Sequence, residues 1–221
     1  MLAFSTHNVF ANQGDTRWVR TGTDPDGNCF FHAYAYCVEP NTFRELNKED
    51  RRQRVLTIKK YVADHITMDD IVDMVHPDAF EKFLPEFEKM IHPLKEPDLR
   101  NQPPLSLRQY VNLLYQTHPI LANTDEFKEK MYSLLFSYKA SIQNYIFQHG
   151  TWMFDALFPL LMRILQVNIV IISHETGKKI THTRQHNSPY TIYIYHIHDH
   201  YESVGAYQNN IMSRVFETDL F

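Results

Sequence analysis

The last third of the chain restricts the fold most. The segment WMFDALFPLLMRILQ at 152–166 is apolar nearly all round, which suits a helix buried on every side, and the β-branched run VNIVIIS at 167–173 follows at once. Gly177, Lys178 and Lys179 mark a turn. TIYIYHIH and HYESVGAY then read as two alternating strands joined by a tight connection near Asp199. Upstream, helical periodicity prevails. Val55, Ile58, Tyr61, Val62 and Ile66 recur at three- and four-residue intervals within 46–66, with Asn47 or Asp50 available as a cap. Further helices are expected over 78–91, 106–116 and 124–149, separated by joints at Pro77, Pro93, Pro97, Pro103 to Pro104 and Pro119, with 92–104 as a loop. Helices first and strands last predict a mixed α/β (α+β) layer structure: a small central sheet with helices on at least one face.

At 221 residues the chain is expected to build one domain spanning 1–221. A net charge of −4 argues against a general nucleic-acid binder, because phosphate affinity needs clustered Lys and Arg. The densest basic stretch, Arg51, Arg52, Arg54, Lys59 and Lys60, is interspersed with apolar residues at helical spacing and reads as a solvated helix face. No stretch approaches the ~18 uninterrupted apolar residues of a membrane span, and the start lacks a basic region followed by an apolar one. Cys29 and Cys37 are too far apart along one helical run to bond each other and lack zinc-finger spacing, so they read as free thiols in a reducing, cytoplasmic compartment.

Cys29 follows the turn-forming stretch 23–28 and opens the apolar run CFFHAYAYCV, at the first turn of a helix. There the unpaired backbone N–H groups and the positive end of the helix dipole favour thiolate over thiol. The amides of Asp26, Gly27, Asn28 and Cys29 could converge on a developing oxyanion. Any single cysteine is more often inert packing, and Cys37, mid-helix among aromatics, reads as a core filler. A late cluster supplies a base: a strand turning at Asp199 puts His200 at the head of the last strand, with Glu202 on the same face as its orienting carboxylate or as a solvated acid. His196, His198 and His200 could instead line one strand face as a zinc site. The turn at Asp199 breaks that alignment and no fourth ligand stands out, so no metal or cofactor is expected.

Three blocks in order carry a family resemblance. DGNCFFHA resembles the signature of the ovarian-tumour (OTU) cysteine proteases, HYESV resembles their C-terminal His-aromatic-acid element, and TWMFDALFPLLMRILQVNIVII resembles their Trp-initiated buried helix running into a core strand, with Trp152, Leu157, Leu160 and Leu161 in place. The resemblance covers about a third of the chain. It implies a papain-like cysteine protease fold of OTU type, with a large helical region over about 41–148 that grips ubiquitin. It also implies nucleophile Cys29, base His200 and a thiol-dependent deubiquitinase that hydrolyses the isopeptide bond after the ubiquitin C-terminus. Ubiquitin, polyubiquitin chains and ubiquitinated proteins are the implied partners. Asp26 matches the motif aspartate, and Glu202 the position two after the histidine. His32 stands where many relatives carry Arg, and Met153 and Phe154 replace the usual Gly-acid pair. These departures and the compact size fit a viral protein or bacterial effector in a host cytosol. Three alternatives stay open: action on a ubiquitin-like modifier, a ubiquitin-binding module without turnover, and a His-rich metal protein in which DGNC is coincidence.

Overall fold

Alternating β-branched and aromatic residues in the last third pair into a mixed sheet, as their period of two requires. The computed structural model describes residues 17–73, 108–109, 112, 115–116, 119–148, 150, 153, 157–176, 179–182, 190–208 and 211–213. The expected helix at 78–91, the loop at 92–104, Trp152, Phe154, Gly177 and Lys178 lie outside the described residues. In chain order the strands are β1 (Arg17–Thr21), β2 (Asn168–Ser173), β3 (Lys179–His182), β4 (Thr191–Ile197), β5 (His200–Gln208) and β6 (Ile211–Ser213). The sheet runs β1-β5-β4-β2-β3, and β6 pairs with the end of β5. Among the described residues only the β2–β4 pair is parallel. The mixed α/β architecture expected from the sequence is therefore present.

The chain divides into two compact units. The first holds Met1–Val62, Phe147–Met153 and Leu165–Phe221; the second holds Ala63–Ile146 and Phe154–Ile164. In the first, helix α1 (Cys29–Val38) buries Cys29, Phe30, Phe31, His32, Ala33, Ala35 and Tyr36. It packs against β5, where the Phe30 and Tyr201 rings meet edge-on at 5.8 Å. The short helix α2 (Pro40–Glu45) starts with Pro at its first position, where a missing N–H is harmless, and buries Phe43 against Tyr36. Val170, Ile172, Tyr193, Tyr195 and Val204 form one apolar sheet face, held in register by the pairs Val170↔Tyr193 and Tyr193↔Val204.

Helix α3 (Lys48–Asp64) is capped by Asn47, whose Oδ1 accepts from Asp50 N at 3.0 Å while its Nδ2 donates to Asp50 Oδ2. Of the two expected caps, Asn47 is the one that caps the backbone, and Asp50 holds the Asn47 side chain.

The second unit contains α4 (Met68–Asp73), α5 (Pro119–Ala122) and all but the last residue of α6 (Asp125–Phe147) and of α7 (Phe158–Leu165). Met131, Tyr138, Ile142 and Ile146 form the buried stripe of α6, while α7 buries Phe158, Leu160, Leu161 and Ile164. The described residues of the helix expected at 106–116 are all helical. Helix α4 was not anticipated, being only six residues long. Its signal is Thr-x-x-Asp: Asp70 N donates to Thr67 Oγ1, and Thr67 N donates to Asp70 Oδ2 at 2.7 Å. The buried Asp70 carboxylate is paired with the Arg163 guanidinium, which also donates to His65 O at 2.8 Å.

Candidate active site

Cys29 is the first residue of α1, as the turn-to-helix reading requires, but its electrostatics differ from the expectation. It is 2% exposed. Burial pushes its thiol above the ordinary value, and main-chain hydrogen bonds at Tyr201, Phe30 and Cys29 itself pull down without cancelling that, while the Asp26 charge adds to the rise. The resting group is a thiol: desolvation outweighs the thiolate-favouring groups of the helix start. Cys37 is different in kind, since its Sγ donates to Tyr193 O at 3.5 Å and burial pushes it up to about 12, the chemistry of an inert packing residue.

The turn before Cys29 is built around Asp26. Its Oδ1 accepts from the Asn28 amide at 2.9 Å, and its Oδ2 lies 3.1 Å from His32 Nε2. Burial would raise this carboxyl, but the Asn28 amide and His32 together bring it below its ordinary value, so it is ionised. The Asn28 amide was expected among the oxyanion donors. Instead it donates to the Asp26 carboxylate in an Asx turn. His32, one turn into α1 and fully buried, thereby holds the Asp26 carboxylate in place.

Gly27 closes the turn with φ +74, a left-handed value that side chains resist. A Cβ there would lie 2.4 Å from Gly150 Cα, so the turn and the 150 backbone fit only without a side chain.

Lys59 completes this support, and the sequence reading did not single it out. It was grouped with a solvated basic face, yet it is fully buried. Its Nζ donates to Asn28 Oδ1 at 2.7 Å and to Gln148 O, with the ammonium 5.7 Å from the centre of the Phe31 ring. Desolvation lowers it to about 8 against a smaller upward pull from Asp26. The signal was present: Lys59 falls four residues after Val55 and three before Val62, inside the apolar stripe of α3. Elsewhere in that stretch Arg51 and Arg52 lie 3.7 Å and 3.9 Å from Asp24 and Asp26, and Arg54 pairs with Glu39. The basic face is therefore largely paired rather than merely solvated.

His200 opens β5 directly after the turn His198–Asp199. Burial lowers its basicity, the Glu202 charge opposes that, and His32 adds to it. Its Nε2 lies 2.9 Å from Thr23 Oγ1, and the same hydroxyl is 2.7 Å from Tyr201 O. Tyr201 sits between the two candidate residues in a literal sense: it follows His200 in β5, and its main chain hydrogen-bonds to Cys29. Its phenol donates to Met153 O at 3.2 Å. Glu202 shares the strand face of His200 but forms an ion pair with Arg20 at 2.5 Å, and no hydrogen bond joins Glu202 to His200.

The three histidines His196, His198 and His200 go separate ways. His196 stacks on the Tyr201 ring at 4.6 Å, His198 lies exposed in the turn, and His200 faces Thr23.

The structure thus brings Asp26, Asn28, Cys29, His32 and Lys59 into one bonded cluster, and it joins Thr23, His200 and Tyr201 into a second that meets the first at the Cys29 thiol. Thr23 and Lys59 are the members the sequence reading missed. No family model and no curated protein sequence matches the chain. Among solved structures it is similar to an ovarian-tumour (OTU) domain in complex with ubiquitin, at 13% identity over 91% of this chain and 76% of that one, with a TM-score of 0.45. It is similar to the viral OTU domain protease from Farallon virus, at 13% identity over 92% and 97% of the two chains, with a TM-score of 0.42. A third likeness is to the Hazara virus OTU bound to ubiquitin, at 13% identity over 91% and 94%, with a TM-score of 0.35.

Proposed function

We propose that this protein is a cysteine-type deubiquitinase, cutting the isopeptide bond after the ubiquitin C-terminal glycine in a reducing, cytosolic compartment. The observation that carries the reading is a helix-initiating thiol hydrogen-bonded to the main chain of Tyr201, the residue next to a His200 ring that is itself held by a hydroxyl. Substrate class rests on the DGNCFFHA and HYESV blocks. In this reading His200 takes the Cys29 Sγ proton as sulfur attacks the scissile carbonyl carbon. The tetrahedral oxyanion collapses to a thioester, and imidazolium returns the proton to the departing lysine amine. Water, deprotonated by His200, then releases the free ubiquitin C-terminus and Cys29 thiol. Asp26, bonded to the Asn28 amide and His32, shapes the loop in which the oxyanion forms.

The test uses electrophilic probes built on ubiquitin and on ubiquitin-like modifiers, with Cys29→Ala as control. The native protein should become covalently attached to the ubiquitin probe and the alanine variant should not, while Cys37→Ala reacts normally. Capture by a different modifier's probe alone would move the substrate to that modifier. Turnover of ubiquitin chains by the Cys29→Ala protein would end the assignment.

A further inference from the structure

We infer that Thr23 is the positioning residue of His200, holding the imidazole in one tautomer and one orientation through its hydroxyl. The inference rests on the reading of His200 as the base. Register places Thr23 where it can act: β1 pairs Thr21 with Ser203, so two residues further along Thr23 comes opposite Tyr201. The hydroxyl of Thr23 is within hydrogen-bond distance of two atoms, Tyr201 O at 2.7 Å and His200 Nε2 at 2.9 Å.

A carbonyl oxygen carries no hydrogen, so the single Thr23 hydrogen goes to Tyr201 O. Towards His200 the Thr23 oxygen can therefore only accept, and the neutral ring must carry its hydrogen on Nε2. Its lone pair is then on Nδ1, which is the atom left to take a proton from a thiol. The shorter bond fixes Thr23 and Thr23 fixes the ring, so the tautomer follows from backbone geometry.

Glu202 is the competing orienter, and its surroundings assign it elsewhere. Strand periodicity puts it on the face of His200, but its Oε2 is paired with Arg20 Nε at 2.5 Å, and the Arg20 guanidinium lies over the Tyr195 ring at 4.8 Å. A carboxylate so held acts on His200 as a charge at a distance. It does not choose which nitrogen bears the hydrogen.

The experiment compares Thr23→Val, which keeps the shape and removes the hydroxyl, with Thr23→Ser, which keeps the hydroxyl. Imidazole ¹⁵N resonances are read above the His200 titration, with His200 identified by the signal missing from His200→Ala. The native ring should show a protonated Nε2 and a bare Nδ1; Thr23→Val should show a mixture of tautomers, and Thr23→Ser the native pattern. With ubiquitin-based substrate, Thr23→Val should lower kcat about ten- to a hundredfold with KM within about twofold, and Thr23→Ser should recover most of it. A native tautomer pattern and native kcat in Thr23→Val would overturn the inference. Should the native protein neither react with the ubiquitin probe nor turn over, the enzymatic reading fails by itself, and the ¹⁵N pattern still decides whether Thr23 sets the ring.

Discussion

Replacing Gly27 by alanine tests the packing of the loop before Cys29, because two separable penalties are visible there. Gly27 has φ +74, and an L side chain held in that region costs about 1–2 kcal/mol. The added Cβ would also lie 2.4 Å from Gly150 Cα and 2.6 Å from both its carbonyl carbon and oxygen. Backbone cannot rotate aside as a side chain can, so relief requires moving one of the two segments, at about 1–3 kcal/mol for overpacking. The sum is about 2–5 kcal/mol, a large part of the ~5–15 kcal/mol that holds an ordinary domain.

Two other glycines supply controls. Gly150 has φ +76, but its Cβ would meet only Asp26 O at 3.7 Å, so Gly150→Ala should lose just the conformational part, about 1–2 kcal/mol. Gly22 has an ordinary φ and its Cβ would find Glu202 Oε1 at 3.7 Å, so Gly22→Ala should change stability by less than about 0.5 kcal/mol. Urea unfolding of the three variants, read as midpoints at unchanged slope, gives the order directly. Because Gly27 joins Asp26 to Asn28 and Cys29, its alanine variant should also alkylate at Cys29 at an altered rate. Equal losses for Gly27→Ala and Gly150→Ala would refute the steric part of the reasoning.

Two further outcomes concern buried charge. Lys59 titrates at about 8 in the fold against 10.5 when free, so between those values the unfolded chain binds the extra proton and Lys59 makes stability rise with pH, by up to about 3 kcal/mol, the penalty being fully present below about 8. Lys59→Met should flatten that rise in denaturation curves taken from pH 7.5 to 10.5, and parallel curves for the two proteins would refute it. Arg163→Met should strand the buried Asp70 carboxylate and cost about 2–4 kcal/mol, reduced from the range for fully buried pairs because Arg163 is partly exposed; a loss under about 1 kcal/mol in urea unfolding would show that the pair contributes little.

What the sequence revealed follows the range of the forces involved. Strand β2 was legible from its β-branched run and strands β4 and β5 from their alternation, both local signals, and the hairpin at 198–199 because a tight turn interrupts it. The parallel pairing of β2 with β4 was not, since the order and direction of strands in the sheet, with β3 on the other edge of β2, leave no local mark. Cys29 could be placed at a helix start from its turn-forming neighbours, but the direction of its pKa depends on burial, which is decided by β5 packing from far along the chain. Lys59 was misread because a basic residue in a basic run suggests solvent, whereas its helical phase places it on the apolar stripe. Thr23 was invisible for the plainest reason: its partner His200 lies 177 residues away, and only strand register brings them together.

The shifts of the two candidate groups combine to one chemical consequence. Cys29 is pushed up and His200 down, both mainly by burial, so the neutral thiol and neutral imidazole are favoured over the charged pair. In the proposed reaction a thiolate must therefore be generated as attack begins, and its proton needs an acceptor with a free lone pair pointing the right way. The Thr23 bond leaves Nδ1 as that acceptor, while the Glu202 charge favours the imidazolium once it forms, even with Arg20 screening part of it. Orientation and charge are thus supplied by different residues here. A neutral hydroxyl can fix the ring without drawing it into a permanent ion pair, and that suits a site whose low dielectric penalises standing charge and whose proposed base must be free to accept a proton on demand.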